Sequence, residues 1–154
     1  MGEIAAIWIK RFKGGPMDPV TTAQLVAGRG LVGNADQGRR RQITIIDEAA
    51  WQQALYDLGE PVDPRARRAN VMLRGIELEK TRGRILQLGG VRIHIYGETT
   101  PCYQMDEARR GLQAALKPHW RAGVFGEVLD DGVINVGDEA WLAEEGRTPS
   151  SARR

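Results

Sequence analysis

Cys102 is the only cysteine among the 154 residues of this chain, and it lies in the segment 99–103. A single cysteine cannot form an internal disulfide and cannot supply a multi-thiolate metal site. It is therefore either a small buried apolar residue or a reactive sulfur. Pro101 precedes it, and a helix-like pattern begins at about Asp106. We therefore expect the thiol on a loop that leads into a helix N-terminus, where thiolates are stabilised, although the local sequence leaves both interpretations open.

Two arginine clusters are the next candidates, because guanidinium groups bind phosphate through paired hydrogen bonds. One cluster occupies residues 39–41, and the other lies within residues 65–68. Asn70 follows the second cluster and could supply amide hydrogen bonds to a bound heterocycle. Either cluster could equally be a solvated surface. Arginine outnumbers lysine 18 to four, which fits anion binding but also a bias in base composition.

Other motifs give weaker indications of a binding or catalytic site. Residues 28–33 match the pattern G-x-G-x-x-G, but the residues that follow are typical of a loop, and a dinucleotide site needs a helix there. His94 and His119 lie far apart and show no zinc-ligand spacing. A Cys–His nucleophile pair stays open, because such partners meet only in the folded chain.

The apolar patterns predict which elements position these residues. Val91, Ile93 and Ile95 alternate with polar residues, which indicates a half-buried strand just before the cysteine loop. Asp47 is a good N-cap for a helix that ends at Gly59. The predicted strands cover residues 4–9, 42–46, 70–78, 84–88, 91–96, 123–129, 133–136 and 139–143, and the predicted helices cover 48–58 and about 106–117. Many strands without regular β-α-β alternation indicate a mostly β fold: an antiparallel, barrel-like sheet with about two helices packed outside.

Length, composition and net charge limit the number of domains, the class of ligand and the location of the protein. The length and the 42% of hydrophobic residues suit one domain, which we place at residues 1–145, followed by a basic tail at 146–154 that we expect to be disordered. A net charge of +2 does not indicate a nucleic-acid binder. No apolar run is long enough for a membrane span or an export signal, and no disulfide can form, so we expect no membrane contact and a cytoplasmic location.

Several segments together resemble the MOSC domain family, named after the C-terminal domain of molybdenum-cofactor sulfurase. The segments are residues 30–38 with residues 41–43, residues 68–78, residues 91–96 followed by Pro101 and Cys102, and residues 123–138. Their order and spacing carry the resemblance, since no single piece is specific. Many members of the family carry Gly-Asp-x-His in the glycine-rich segment, whereas this chain has Gly33-Asn34-Ala35-Asp36.

The resemblance implies a β-barrel-like fold and one of two roles for Cys102. In the first role, Cys102 ligates the molybdenum of a bound molybdopterin cofactor, and the protein reduces N-hydroxylated compounds. In the second role, Cys102 carries sulfur as a persulfide and delivers it to a metal–sulfur cofactor. The anionic phosphate of the pterin gives the arginines a role, so the expected cofactor contacts are Arg41, Arg68 and Asn70.

The two roles imply different partners. One cysteine cannot hold an iron–sulfur cluster, which takes about four protein ligands, so a reductase would need a separate electron-donor protein. A sulfur carrier would need a cysteine desulfurase, and pyridoxal phosphate would enter only with such a separate sulfurase partner. A third interpretation is a non-catalytic module that binds a cofactor or a partner, with Cys102 structural.

Overall fold

The computed structural model describes residues 1–143, and the predicted tail at 146–154 lies outside them. Its strands are β1 (Gly2–Lys10), β2 (Met17–Val20), β3 (Thr22–Val26), β4 (Gly30–Leu31), β5 (Ile43–Asp47), β6 (Val71–Arg74), β7 (Ile85–Leu88), β8 (Val91–Glu98), β9 (Val124–Val128), β10 (Gly132–Asn135) and β11 (Glu139–Leu142). Its helices are α1 (Glu48–Leu58), α2 (Gln104–Ala108) and α3 (Leu112–Leu116), and two 3₁₀ turns occupy Pro64–Arg67 and Pro118–Trp120.

Seven strands close into a barrel in the order β1-β11-β7-β8-β9-β5-β6, and β6 returns to β1. All neighbours are antiparallel except β5 and β6, which are parallel. The closing contact is short: Gly2 pairs with Ala140, and Glu3 pairs with Glu139. Outside the ring, β2 pairs with β1, and β10, β3 and β4 form a small second sheet. The expectation of a mostly β, barrel-like fold with helices packed outside is therefore confirmed.

Three details differ from the sequence prediction. Strands β2, β3 and β4 were not predicted, because they are short and β2 contains Pro19. The single helix expected over residues 106–117 is two five-residue helices, since Arg109 is extended and Gly111 has a φ of +92°. The strand expected over 70–78 ends at Arg74, because Gly75 turns the chain with a φ of +85°.

The barrel interior is filled by the inward residues of alternating strands. In β8, Val91, Ile93 and Ile95 are fully buried, as the period-two pattern predicts. Burial of one such side chain contributes roughly 1.5–3 kcal/mol. A second cluster packs α1 against α2 and α3 through Trp51, Ala54, Met105, Leu112, Leu116 and Ala122. This second cluster fixes the two short helices that follow the cysteine loop.

Helix α1 makes the crossover between the parallel strands β5 and β6. It begins where the Asp47 side chain accepts a hydrogen bond from Ala49 N at 3.0 Å, and it ends at Gly59, whose φ is +89°. The chain then returns through the Pro64–Arg67 turn and enters β6 beside β5. In the described residues, no helix is both long and apolar enough to cross a membrane.

Candidate functional site

Cys102 lies on the loop between β8 and α2, and its side chain is exposed. The loop is anchored by Thr99, which is fully buried. The Thr99 backbone N–H donates to Gly123 O at 2.9 Å, and its hydroxyl donates to Ala122 O at 2.7 Å. On the other side of the thiol, Met105 N donates to Cys102 O at 2.9 Å. The sulfur is therefore accessible while the backbone that carries it is held on both sides.

Arg67 is a buried cation tied to the same carbonyl, that of Ala122, as the Thr99 anchor of the cysteine loop. Only 8% of Arg67 is exposed, and its Nε donates to Ala122 O at 2.7 Å. The pKa of Arg67 is lowered to about 10, mainly because burial penalises its charge and also because the charge of Arg41 is near, while the Cys102 thiolate acts in the opposite direction. The five-residue helix α2 has only a small dipole, so it contributes little to the electrostatics of the thiol.

Arg41 is the second cation of this group. Its guanidinium carbon lies 5.1 Å from the centre of the Phe125 ring, a cation–π distance. Arg41 also lines a cavity of about 400 Å³ formed by the glycine-rich segment, with Ala35, Asp36, Gln37, Gly38 and Arg39. None of the ion pairs among residues 1–143 involves Arg41 or Arg67. Both charges are therefore left without a carboxylate counter-ion in the described chain.

An aromatic face of β8 and β9 adjoins Arg41. The ring of Tyr96 lies 6.3 Å from that of Phe125, and the Arg40 guanidinium lies 5.0 Å above the Tyr96 ring. The Tyr96 hydroxyl donates to Glu127 Oε1 at 2.6 Å, and this hydrogen bond raises the pKa of Tyr96. A β-bulge between Ile95 and Gly97 places Tyr96 beside Phe125 on the outer surface. This face orients two arginines by stacking.

Asn70 holds the glycine-rich segment in place. Its Oδ1 accepts from Thr44 N at 3.1 Å, and its Nδ2 donates to Trp8 O at 3.3 Å and to Asn34 Oδ1 at 3.2 Å. Asn34 Oδ1 also accepts from Lys10 N at 2.9 Å. Both donors of the Asn70 amide are thus used inside the protein, and its contact with a cofactor stays a prediction. The departure from the family motif at Asn34 has a structural role here.

Arg68 points to a different part of the surface. It has a φ of +64°, and its Nη2 donates to the carbonyl of Gly15. It lines a cavity of about 310 Å³ together with Pro16, Met17, Asp63, Arg65 and Ala66. The structure therefore turns Arg68 toward the Gly15 loop, whereas Arg41 lines the cavity of the glycine-rich segment. The role of Arg68 in cofactor binding stays a prediction.

The local sequence does not single out Arg67 from its cluster. The available signal was Asp63 followed by Pro64, an N-cap and first-turn pair that starts a short helical turn. In that turn Arg65 pairs with Asp63 at 3.0 Å and stays exposed, while Arg67 points inward. Which arginine is buried depends on how the turn packs against Ala122, and the sequence does not encode that contact locally.

A separate cavity of about 290 Å³ has a mixed lining that includes Arg121 and several acidic residues. Its acidic lining residues are Asp47, Glu77 and Glu79, and His119 Nδ1 lies 3.1 Å from Glu79 Oε2. Burial raises the pKa of Asp47, and its contacts with backbone N–H groups act in the opposite direction. Neither Cys102 nor Arg67 lines this cavity or the cavity of about 400 Å³ at Arg41, so the candidate site is the exposed loop that carries the thiol.

The fold and the site together define a class: a small closed β-barrel with an exposed cysteine on the loop that follows β8. The family model of the MOSC domain matches residues 12–141. This match spans most of the chain, so the protein belongs to the MOSC domain family, which is associated with molybdenum-cofactor sulfurase-type and related proteins.

Solved structures share this fold. The chain resembles the YuaD protein from Bacillus subtilis with a TM-score of 0.79 and 22% identity over 92% of this chain and 96% of that one. It resembles YiiM from Geobacillus stearothermophilus with a TM-score of 0.74 and 20% identity, over 95% and 77%. YiiM from Escherichia coli gives a TM-score of 0.70 and 16% identity, over 93% and 70%. At these identities the likeness establishes the fold alone. No curated protein matches the chain significantly.

Proposed function

We propose that this MOSC domain binds a molybdenum-containing (molybdopterin) cofactor through the thiolate of Cys102. The observation that carries the proposal is the exposed thiol on a loop whose anchor, Thr99, shares the Ala122 carbonyl with Arg67, a buried guanidinium that no carboxylate of residues 1–143 neutralises. A thiolate is a soft donor that suits a soft metal–sulfur centre. Within that same part of the chain, no group of three or more His, Cys, Asp or Glu could hold a metal. The cofactor itself would therefore supply the other metal ligands.

The charges near the thiol support an anionic ligand. Among residues 1–143, Arg41 and Arg67 form no ion pair with a carboxylate, and Arg41 lines a cavity of about 400 Å³ that offers room for a ligand. A guanidinium binds phosphate oxygens through two parallel hydrogen bonds. A ligand with one end on the sulfur and an anionic end on the arginines fits this arrangement.

The chain's own residues position the ligand. Thr99 holds the loop so that the sulfur faces outward, and the Asn34–Asn70 hydrogen bond holds the glycine-rich wall of the cavity. When bound, the cofactor would supply two-electron redox chemistry, for which we propose N-hydroxylated compounds as substrates. A single cysteine cannot hold an iron–sulfur cluster, so a separate electron-donor protein would deliver the electrons.

The exposure of Cys102 on a surface loop also favours a second candidate, a persulfide carrier. Sulfur transfer between proteins requires direct attack of the thiolate on a donor persulfide, which an exposed loop allows. The persulfide would be an anion, and the charge of Arg67 would stabilise it. A cysteine desulfurase would be the sulfur donor, and a metal–sulfur cofactor would be the acceptor.

Metal analysis tests the first candidate. Protein from a molybdate-fed host should contain about one molybdenum per chain, because one thiolate binds one metal centre. Cys102→Ser should remove that metal while the protein keeps its circular dichroism spectrum. Wild-type protein from a tungstate-fed host is the matched control. Full molybdenum content in Cys102→Ser would refute ligation by this sulfur.

Intact mass spectrometry tests the second candidate. After incubation with a cysteine desulfurase and cysteine, the wild-type mass should rise by about 32 Da, the mass of one added sulfur atom. Dithiothreitol should reverse the change, and Cys102→Ser should show no change. A wild-type mass that stays constant under conditions that load another sulfur acceptor would reject the carrier role.

A further inference from the structure

The cavity of about 290 Å³ lies at the carboxyl ends of the parallel strands β5 and β6. Asp47 ends β5, Ala49 and Ala50 belong to the first turn of α1, and the segment 77–79 follows β6. In α/β sheets, ligands bind outside the carboxyl ends of parallel strands, and β5, α1 and β6 form that arrangement locally. The cavity therefore occupies a position that suits a binding site, and Cys102 is not among its lining residues.

Asp47 is a buried carboxylate whose charge the helix cap does not require. It is 8% exposed, and its Oδ1 accepts from Ala49 N at 3.0 Å. Serine or asparagine caps a helix about as well, because a cap needs one acceptor and no charge. Among residues 1–143 Asp47 forms no ion pair, although a buried charge without a partner is costly. A cationic ligand in the cavity would supply that partner.

The other charged residues of the cavity leave a negative excess. Glu77 is exposed and forms no ion pair in the described part of the chain, whereas Glu79 Oε2 lies 3.1 Å from His119 Nδ1. Arg121 also lines the cavity, but its Nη1 donates to Asp57 Oδ2 at 2.7 Å and to Ala115 O at 3.0 Å. The carboxylates of Asp47 and Glu77 therefore remain without a cation.

The same cavity has an aromatic and aliphatic lining. Trp120 is half-buried and packs against the barrel core, and Leu78 is buried. His119 and Trp120 both have a φ of +56°, a left-handed conformation that is strained for residues with a side chain and that is concentrated at functional sites. An indole ring attracts an ammonium group by a cation–π contact and also packs against hydrocarbon.

From these features we propose that this cavity binds a small alkylammonium ion, the protonated form of a primary amine. The ammonium group donates to the carboxylates of Asp47 and Glu77, and the alkyl chain packs against Leu78 and Trp120. The volume is at the lower end of the range for ligand pockets, which favours a small molecule. A metal ion fits less well, because within residues 1–143 no group of three or more His, Cys, Asp or Glu could hold one.

Calorimetric titration of the full chain with n-butylammonium chloride tests the proposal. The wild type should bind the amine in a saturable way, whereas 1-butanol, which has the same alkyl chain without the charge, and sodium chloride at equal ionic strength should not bind. Asp47→Asn keeps the helix cap and removes the charge. Its dissociation constant should rise at least about tenfold, the change expected for the loss of one hydrogen bond to a charged group. Glu77→Gln should raise the constant by a smaller factor, because Glu77 is exposed.

Two measurements separate binding from a purely structural role of Asp47. Without amine, Asp47→Asn should be at least as stable as the wild type, because the cap remains and an unpaired buried charge is gone. Asp18→Asn removes an exposed carboxylate outside the cavity, so its dissociation constant should match the wild type. Equal binding by Asp47→Asn and the wild type, or equal heats with butanol and butylammonium, would overturn the proposal. If Asp47→Asn does not fold, unchanged binding in Glu77→Gln would overturn it instead.

The amine site is independent of the role proposed for the thiol. Cys102→Ser should bind butylammonium as the wild type does, because Cys102 does not line the cavity. Molybdenum content and sulfur loading are measured separately, so a failure of either leaves the titration with the amine unaffected. A protein without molybdenum that still binds butylammonium would keep this proposal and reject only the first candidate function.

Discussion

Arg67 and Thr99 donate to the same oxygen, the carbonyl of Ala122, each at 2.7 Å. One residue belongs to the turn before β6, and the other belongs to the loop after β8. A single backbone acceptor therefore sets the position of the buried guanidinium relative to the loop that carries Cys102.

Removing the Thr99 hydroxyl should weaken this connection. We expect Thr99→Val to lower the free energy of unfolding by about 1–2 kcal/mol, because a buried hydrogen bond is lost without a change in volume. Urea denaturation followed by circular dichroism measures the loss. Thr99→Ser keeps the hydroxyl but loses a buried methyl group, so it separates the two contributions, and wild-type stability of Thr99→Val would contradict the prediction.

Asn70→Asp should destabilise the protein even without any cofactor. The new carboxylate would face Trp8 O and Asn34 Oδ1, both acceptors, so two hydrogen bonds become repulsive contacts. We expect a loss of about 2–4 kcal/mol in unfolding free energy. In Asn34→Asp the Oδ1 acceptor remains and only the one contact with Asp36 O becomes repulsive, so this variant should lose less. If urea denaturation shows that Asn34→Asp loses more stability than Asn70→Asp, the hydrogen bonds of Asn70 do not hold these segments together as proposed.

Gly123→Ala should prevent the close packing of the chain at Ala122. Gly123 has a φ of +98°, and an added Cβ would collide with Ile45 O. We expect a cost of at least about 3 kcal/mol from backbone strain and overpacking together. Gly59 also has a positive φ, but its Cβ position is open, so Gly59→Ala should cost only about 1–2 kcal/mol. Thermal unfolding measures the stability of both variants. Gly123→Ala has both the collision and the backbone strain, whereas Gly59→Ala has the backbone strain alone.

Asp130 should carry part of the acid dependence of stability. It accepts from Arg92 Nε at 2.8 Å and Nη2 at 2.7 Å, and this side-chain hydrogen bonding lowers the pKa of Asp130 below its ordinary value of 3.8. The stabilisation is therefore present above pH 3.8 and is lost as the pH falls through the lowered value. Asp130→Asn should cost about 1 kcal/mol at pH 7, and the difference from wild type should shrink in acid.

The exposed pair between Arg11 and Asp18 gives a control for that experiment. Its N–O distance is 3.4 Å, and about half of each side chain is exposed. Asp18→Asn should therefore change the stability little at either pH. If Asp18→Asn and Asp130→Asn change stability with the same pH profile, the effect comes from net charge in general and not from the hydrogen bonds between Arg92 and Asp130.

The sequence predicted those features that depend on local periodicity. The alternation in β8 indicated the strand before the thiol, and Asp47 and Gly59 marked the ends of α1. The burial of Arg67 could not be predicted, because it depends on the carbonyl of Ala122, which comes from a distant turn. The hydrogen bonds of Asn70 to Trp8 and Asn34 are likewise non-local.

The contact between β1 and β11 has a consequence for biosynthesis. On the ribosome, Gly2 and Glu3 emerge long before their partners Ala140 and Glu139. Until then the nascent chain has an unpaired strand edge on β1 and another on β7. Unpaired strand edges pair readily with strands of other molecules. Completion of the ring therefore waits until synthesis has reached β11, and chaperones that shield extended segments should matter most just before that moment.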